Sequence, residues 1–290
     1  MKRIFVPVDF SPCSDNAVDY AIELCKRYGA ELYVVHGFNP SAEIITSDYV
    51  TPFQGVPGTL SADQLNDFIK ERNDFISKQL TGIEALAVQN GVKIKTAKIE
   101  SAMFDDLADE AKALACDLVV MGSHGSKGIE EALIGSNTQK FVRYSEIPVL
   151  VIKQPPQKLS NIAFYSTFTK EGEKKIYRDF IKLFDNSLSK VHFVYVNTPS
   201  NFLDTPTSLE RINSFITDTK PKNYDWHIYN ENSVEEGVMG FAEHNDIDLV
   251  VLATHGYTGL KRFFHHSYTE SVINHIDLPV VTFGLDNNQG

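Results

Sequence analysis

The chain has 290 residues, 42% hydrophobic and 22% charged, a balance that excludes general disorder and suggests about two domains. Its net charge of −11 opposes a phosphate backbone, so no nucleic acid is expected as a partner. No apolar run approaches the roughly 20 residues of a spanning helix, and Met1-Lys-Arg-Ile-Phe-Val-Pro-Val-Asp reads as a strand rather than a signal peptide. No membrane contact and a cytoplasmic location are expected. The three cysteines, Cys13, Cys25 and Cys116, lack C-x-x-C spacing and fit a reducing compartment.

In chain order, strands are predicted at Ile4–Val8, Glu31–His36, Lys93–Lys98, Leu118–Met121 and Val149–Ile152. Between them, Asn16–Tyr28, Ala62–Gln89, Ala102–Ala115 and Glu130–Tyr144 carry apolar residues at helical spacing. This alternation is the pattern of βαβ units around a parallel sheet. Ser14 or Asp15 is placed to cap the first helix, and Cys13 falls in the loop that enters it. Asn39 to Leu60, rich in Pro, Gly, Ser and Thr, is too long for an ordinary connection and reads as a surface excursion over a site.

The pattern is then written a second time. Glu100 to Gly125 recurs as Glu231 to Gly256, with Asp117 matching Asp248 and His124 matching His255 without a gap. Pro148 meets Pro279, and Arg3 to Asp9 pairs with Asn161 to Thr167, which starts the second unit near Leu159. Pro155-Pro156 marks the linker, because adjacent prolines cannot continue a helix or a central strand. The expected domains are therefore residues 1–154 and 159–285, each an open five-stranded parallel α/β sandwich of Rossmann-like form. In the second, the stretch between strands two and three is trimmed to roughly Asn197–Asn223.

The stretch Met121-Gly-Ser-His-Gly-Ser-Lys-Gly, continuing to Gly135-Ser136-Asn137-Thr138, reads G-x-x-G-x9-G-S after an apolar strand. Ligands of open α/β sheets sit beyond the carboxyl ends of strands, and glycine backbone there admits phosphate oxygens. Read without context, the same glycines would simply make turns.

The stretch resembles the ATP-binding signature of universal stress proteins, and the likeness covers nearly all of the chain. Gly122, Gly125, Gly135 and Ser136 fill that signature, and Val6-Pro-Val-Asp9-Phe-Ser11 matches the family's first strand end. The resemblance implies an adenine nucleotide hydrolase-like fold with ATP as ligand. Pro7, Val8, Asp9 and Ser11 would border the adenosine, with Gly37, Phe38 and Met121 flanking the base. Gly122, His124 and Gly125 would line the loop, and Ser136, Asn137 and Thr138 would address phosphates. A bridging magnesium ion is compatible with this, although no carboxylate cluster is dedicated to it. Asp9 has a second reading as a helix cap.

The later half departs from the signature. Ala253, Gly256, His266 and Ser267 stand for Gly122, Gly125, Gly135 and Ser136, and Thr167 stands for Asp9, so this half is expected not to hold ATP. The resemblance further implies pairing of the two halves through Val149–Ile152 and Val280–Phe283, with a homodimer left open and no protein partner named. His255, His265 and His266 are read as structural rather than metal-binding, since adjacent helix residues point apart. Cys13 is read as a small buried residue.

With no G-x-x-x-x-G-K-[ST], no G-x-G-x-x-G after strand one and no G-x-S-x-G, dedicated catalysis is not expected, slow hydrolysis remaining open. The expected role is a nucleotide-responsive stress or regulatory protein, with an interaction scaffold as the alternative.

Overall fold

The computed structural model describes residues 1–40, 62–100, 103–123, 134–155, 159–169, 171–184, 189–254 and 268–284. The first half runs β1 (Arg3–Val8), α1 (Pro12–Tyr28), β2 (Glu31–Gly37), α2 (Ala62–Gln89), β3 (Ile94–Ile99), α3 (Phe104–Ala113), β4 (Leu118–Gly122), α4 (Ser136–Tyr144) and β5 (Val149–Ile152). The second runs β6 (Asn161–Tyr165), α5 (Glu171–Phe184), β7 (Lys190–Asn197), a 3-10 turn (Pro199–Asn201), α6 (Thr205–Thr219), β8 (Tyr224–Asn230), α7 (Val234–His244), β9 (Leu249–Thr254), α8 (Tyr268–His275) and β10 (Val280–Gly284).

Among the described residues, ten strands join one sheet in the order β3-β2-β1-β4-β5-β10-β9-β6-β7-β8. Every neighbouring pair is parallel except β5 and β10, which run antiparallel with Val280 opposite Val151 and Thr282 opposite Val149. Each half would otherwise end in an unpaired strand, and the seam converts two open edges into one ladder.

Alternation along the strands divides the core between the two faces of the sheet. Ile4, Val6 and Val8 pack with Val18, Ile22 and Ile76 on one face. Phe5, Val119 and Met121 pack with Leu107, Phe141 and Val142 on the other. The duplication extends to backbone detail. Asp117 accepts the Lys2 and Arg3 amides, and Asp248 accepts those of Ser160 and Asn161 at 2.7 and 2.8 Å. Phe10 and Phe168, at matching turns after β1 and β6, have left-handed φ of 61° and 57°.

Three expectations need correction. Helix α1 begins at Pro12, capped by Ser11, whose Oγ accepts from the Ser14 amide at 3.2 Å; neither Ser14 nor Asp15 is the cap, and Cys13 lies in the first turn. Proline suits that first position because its missing N–H would be unsatisfied there anyway. Helix α3 is shorter than predicted, ending before Ala115, whose φ of 48° breaks the helix. Helix α4 starts at Ser136 rather than Glu130, because the Ile134 amide donates to Asn274 Oδ1 and the Gly135 amide to Ser123 O. Residues 130–133 and all but the first two residues of the Asn39–Leu60 excursion lie outside the described residues.

Candidate functional site

Strand β1 lies between β2 and β4. The chain leaves β1 towards β2 on one side and returns to β4 on the other, so the carboxyl ends of β1 and β4 form a switch point of the kind where α/β sheets hold ligands. Val8 lies opposite His36 there, and Met121 and Gly122 end the neighbouring strand. His36 Nδ1 donates to Val8 O at 2.8 Å, which fixes the tautomer, and Phe10 stacks on the His36 ring with centroids 4.5 Å apart.

The structure brings the predicted residues Pro7, Val8, Asp9, Ser11, Gly37, Phe38, Met121, Gly122, Gly135, Ser136, Asn137 and Thr138 to this edge of the sheet. Thr138 Oγ1 donates to Gly122 O at 2.9 Å and the Gly135 amide to Ser123 O at 2.8 Å, tying the start of α4 to the end of β4. Several of these residues also carry local duties. Asp9 Oδ1 accepts from the Ser11 amide at 3.1 Å, an Asx-type turn into α1. Ser11 is the buried cap, and Phe38 is buried with Lys98 Nζ 5.2 Å from its ring centroid. His124 and Gly125 lie outside the described residues.

The two described glycines of the motif are glycine for different reasons. A Cβ on Gly122 would lie 2.6 Å from the carbonyl carbon and oxygen of Cys13, so this glycine admits the first turn of α1. Gly135 caps α4 with φ −60° and ψ 148°, values open to any residue, and makes no side-chain cap bond. Nothing in its backbone demands glycine.

In the second half the corresponding positions make protein contacts of their own. The buried Glu173 carboxylate accepts from the Thr167 amide at 3.1 Å, Thr167 Oγ1 at 2.7 Å and the Thr169 amide at 2.9 Å. Tyr268 donates its hydroxyl to Ala253 O at 2.9 Å, reaching across from α8 to the end of β9. Sequence reasoning assigned the obstruction to His266, which lies outside the described residues together with His255, Gly256, His265 and Ser267. It missed Glu173, whose contacts with Thr167 and Thr169 are local, and Tyr268, whose contact joins the separate elements α8 and β9.

Burial pushes the Cys25 and Cys116 thiols up to about 12, which makes both inert at neutral pH. A pair that sequence reasoning also missed, His192 and His227, is held below the ordinary imidazole value of 6.5, in each case chiefly by burial. Lys190 adds to the depression, Asp225 opposes it, and His227 further lowers His192. A depressed folded value means that the unfolded chain takes up protons first as pH falls. Their stabilising contribution is therefore complete above 6.5 and lost as pH drops below it through the folded values. Thermal midpoints from pH 7.5 to 5 should fall less steeply in His227→Gln than in the unmodified chain; parallel curves would refute this.

The architecture defines a Rossmann-like α/β protein built from two copies of one unit. Residues 1–153 and 225–283 match the universal stress protein family, and the chain belongs to that family. A universal stress protein of Methanocaldococcus jannaschii is 30% identical over 154 residues, 53% of this chain and 83% of that protein. Another, from Bacillus subtilis, is 27% identical over 152 residues, 52% of this chain and 99% of its own length. The crystal structure of a universal stress protein from Archaeoglobus fulgidus aligns with 99% of this chain and 97% of its own at TM-score 0.68 and 15% identity, a likeness of fold. The unmatched residues between the two family segments carry β6, α5, β7 and α6, so the second half keeps the topology where it lacks the family's sequence pattern.

Among the described residues, no helix is long and apolar enough to cross a membrane.

Proposed function

We propose that the first half binds ATP at the carboxyl edge of β1 and β4, and that the chain acts as a nucleotide-responsive stress or regulatory protein of the cytoplasm. The observation that carries this reading is Gly135. It stands at the entrance of α4 with an unexceptional backbone and no capping side chain, where a helix N-terminus favours an anion. Family membership and the complete G-x-x-G-x9-G-S motif support the same assignment.

Ser136, Asn137 and Thr138 would then face the phosphates, and the ends of β1 and β2 the adenosine, with magnesium arriving alongside the nucleotide. The second half would remain empty, since Glu173 sets a buried carboxylate on the loop amides and Tyr268 spans the strand end. In this reading ATP serves as a signal rather than a substrate; among the described residues no side chain at the site is arranged as a nucleophile beside a base.

Calorimetric titration with magnesium and ATP should give about one nucleotide per chain. Gly135→Trp should abolish binding while His266→Trp leaves it intact. Two equivalent sites, or none, would contradict the assignment.

A further inference from the structure

Strands β7 and β8 form one end of the sheet. Their register sets His192 beside Asp225, and His227 follows two residues later on the same face of β8. His192 Nδ1 and His227 Nε2 are 3.1 Å apart, and one ligand atom from each of the three residues lies within 4.8 Å of the other two. The rings are nearly parallel, at 25° with centroids 5.3 Å apart. Phe241 of α7 backs both, with centroids 6.1 Å from His192 and 4.8 Å from His227.

Two imidazole nitrogens this close share either a proton or a cation. Nitrogens bound to one tetrahedral zinc ion at about 2.0–2.1 Å stand roughly 3.3 Å apart, so the rings already have the spacing a metal would impose. His192 is 7% exposed, and its Nε2 is buried without a hydrogen-bond partner. With the proton on Nε2, Nδ1 presents a lone pair towards His227, as a ligand requires. Two imidazoles and one carboxylate suit zinc-class ions, whereas magnesium and calcium prefer oxygen donors.

We propose that His192, His227 and Asp225 form a binding site for a divalent transition-metal ion of the zinc class at this end of the sheet. The site is separate from the nucleotide-binding edge of the first half. Lys190 is its built-in competitor, because its ammonium engages Asp225 Oδ2 where a cation would draw on the same carboxylate.

Cobalt(II) titration of the full, chelator-treated chain tests this by calorimetry and the visible spectrum. We expect one ion per chain with a tetrahedral-type spectrum. His227→Gln and Asp225→Asn should each lose at least about tenfold in affinity, a ligand's removal costing no less than the loss of an outer-sphere partner. Lys190→Met should bind more tightly. Thermal melting of each variant in chelator verifies folding, and a variant that does not fold is replaced by His227→Asn, judged by the same affinity criterion. Absence of cobalt binding, or equal affinity in the folded ligand variants and the unmodified chain, would overturn the proposal.

Discussion

Glu270→Ala is expected to destabilise the chain by about 3 kcal/mol, the lower end of what breaking a buried ion pair costs. The Glu270 side chain is 3% exposed and accepts from Gln139 Nε2 at 2.6 Å, Arg143 Nε at 2.7 Å and Arg143 Nη2 at 2.5 Å. Removing it leaves a guanidinium in the joint between α4 and α8 with its carboxylate gone. Arg143 remains 28% exposed, and water recovers part of the loss, which is why the upper end is not expected. Arg143→Met with Glu270→Met should lose much less than Glu270→Ala alone, since neither charge is then stranded. Urea midpoints at constant slope measure both effects. A Glu270→Ala change below about 0.5 kcal/mol, typical of unimportant surface sites, would show that the joint does not depend on this pair.

Gly122→Val is expected to cost at least about 1–3 kcal/mol, the usual range for overpacking a filled core. The obstacle is the main chain of Cys13 at 2.6 Å, so a rotamer change cannot relieve it and α1 itself must move. Because Ser11 and Asp9 are joined to that helix entrance, the displacement should also weaken nucleotide binding at least about tenfold, as a small misplacement of a site does. Gly29→Ala provides the contrast. Gly29 has φ +66° but open space around its missing Cβ, so only the backbone preference is lost, about 1–2 kcal/mol, with ATP affinity unchanged. Equal effects of the two substitutions on affinity would remove Gly122 from the architecture of the site.

Strands and duplication were legible in the sequence because apolar alternation and the Asp117–Asp248 match are local patterns that recur at one spacing. The seam between β5 and β10 followed from the family resemblance. The beginning of α4 was not legible, because Ile134 and Gly135 are held out of the helix by Asn274 and Ser123, partners distant in sequence. The cap of α1 was readable in principle, since Ser11-Pro12 is a strong start signal that outranks Ser14 and Asp15. For Gly122 phosphate access was inferred from the motif, and close helix approach is a further demand for glycine that only the geometry displays. Asp225-x-His227 carried a same-face pattern, but only strand register brings His192 beside it.

The pairing across the seam also bears on how such a molecule can be assembled. Gln139 and Glu270 stand at corresponding places in the two repeats, and Glu270 also receives Arg143, whose own counterpart is Asn274. Two copies of the first repeat would give the arginine a neutral amide; two copies of the second would confine a pair of like-charged carboxylates face to face. Each repeat is thus built to prefer its sibling over its twin, and the covalent tether supplies that sibling in a one-to-one ratio.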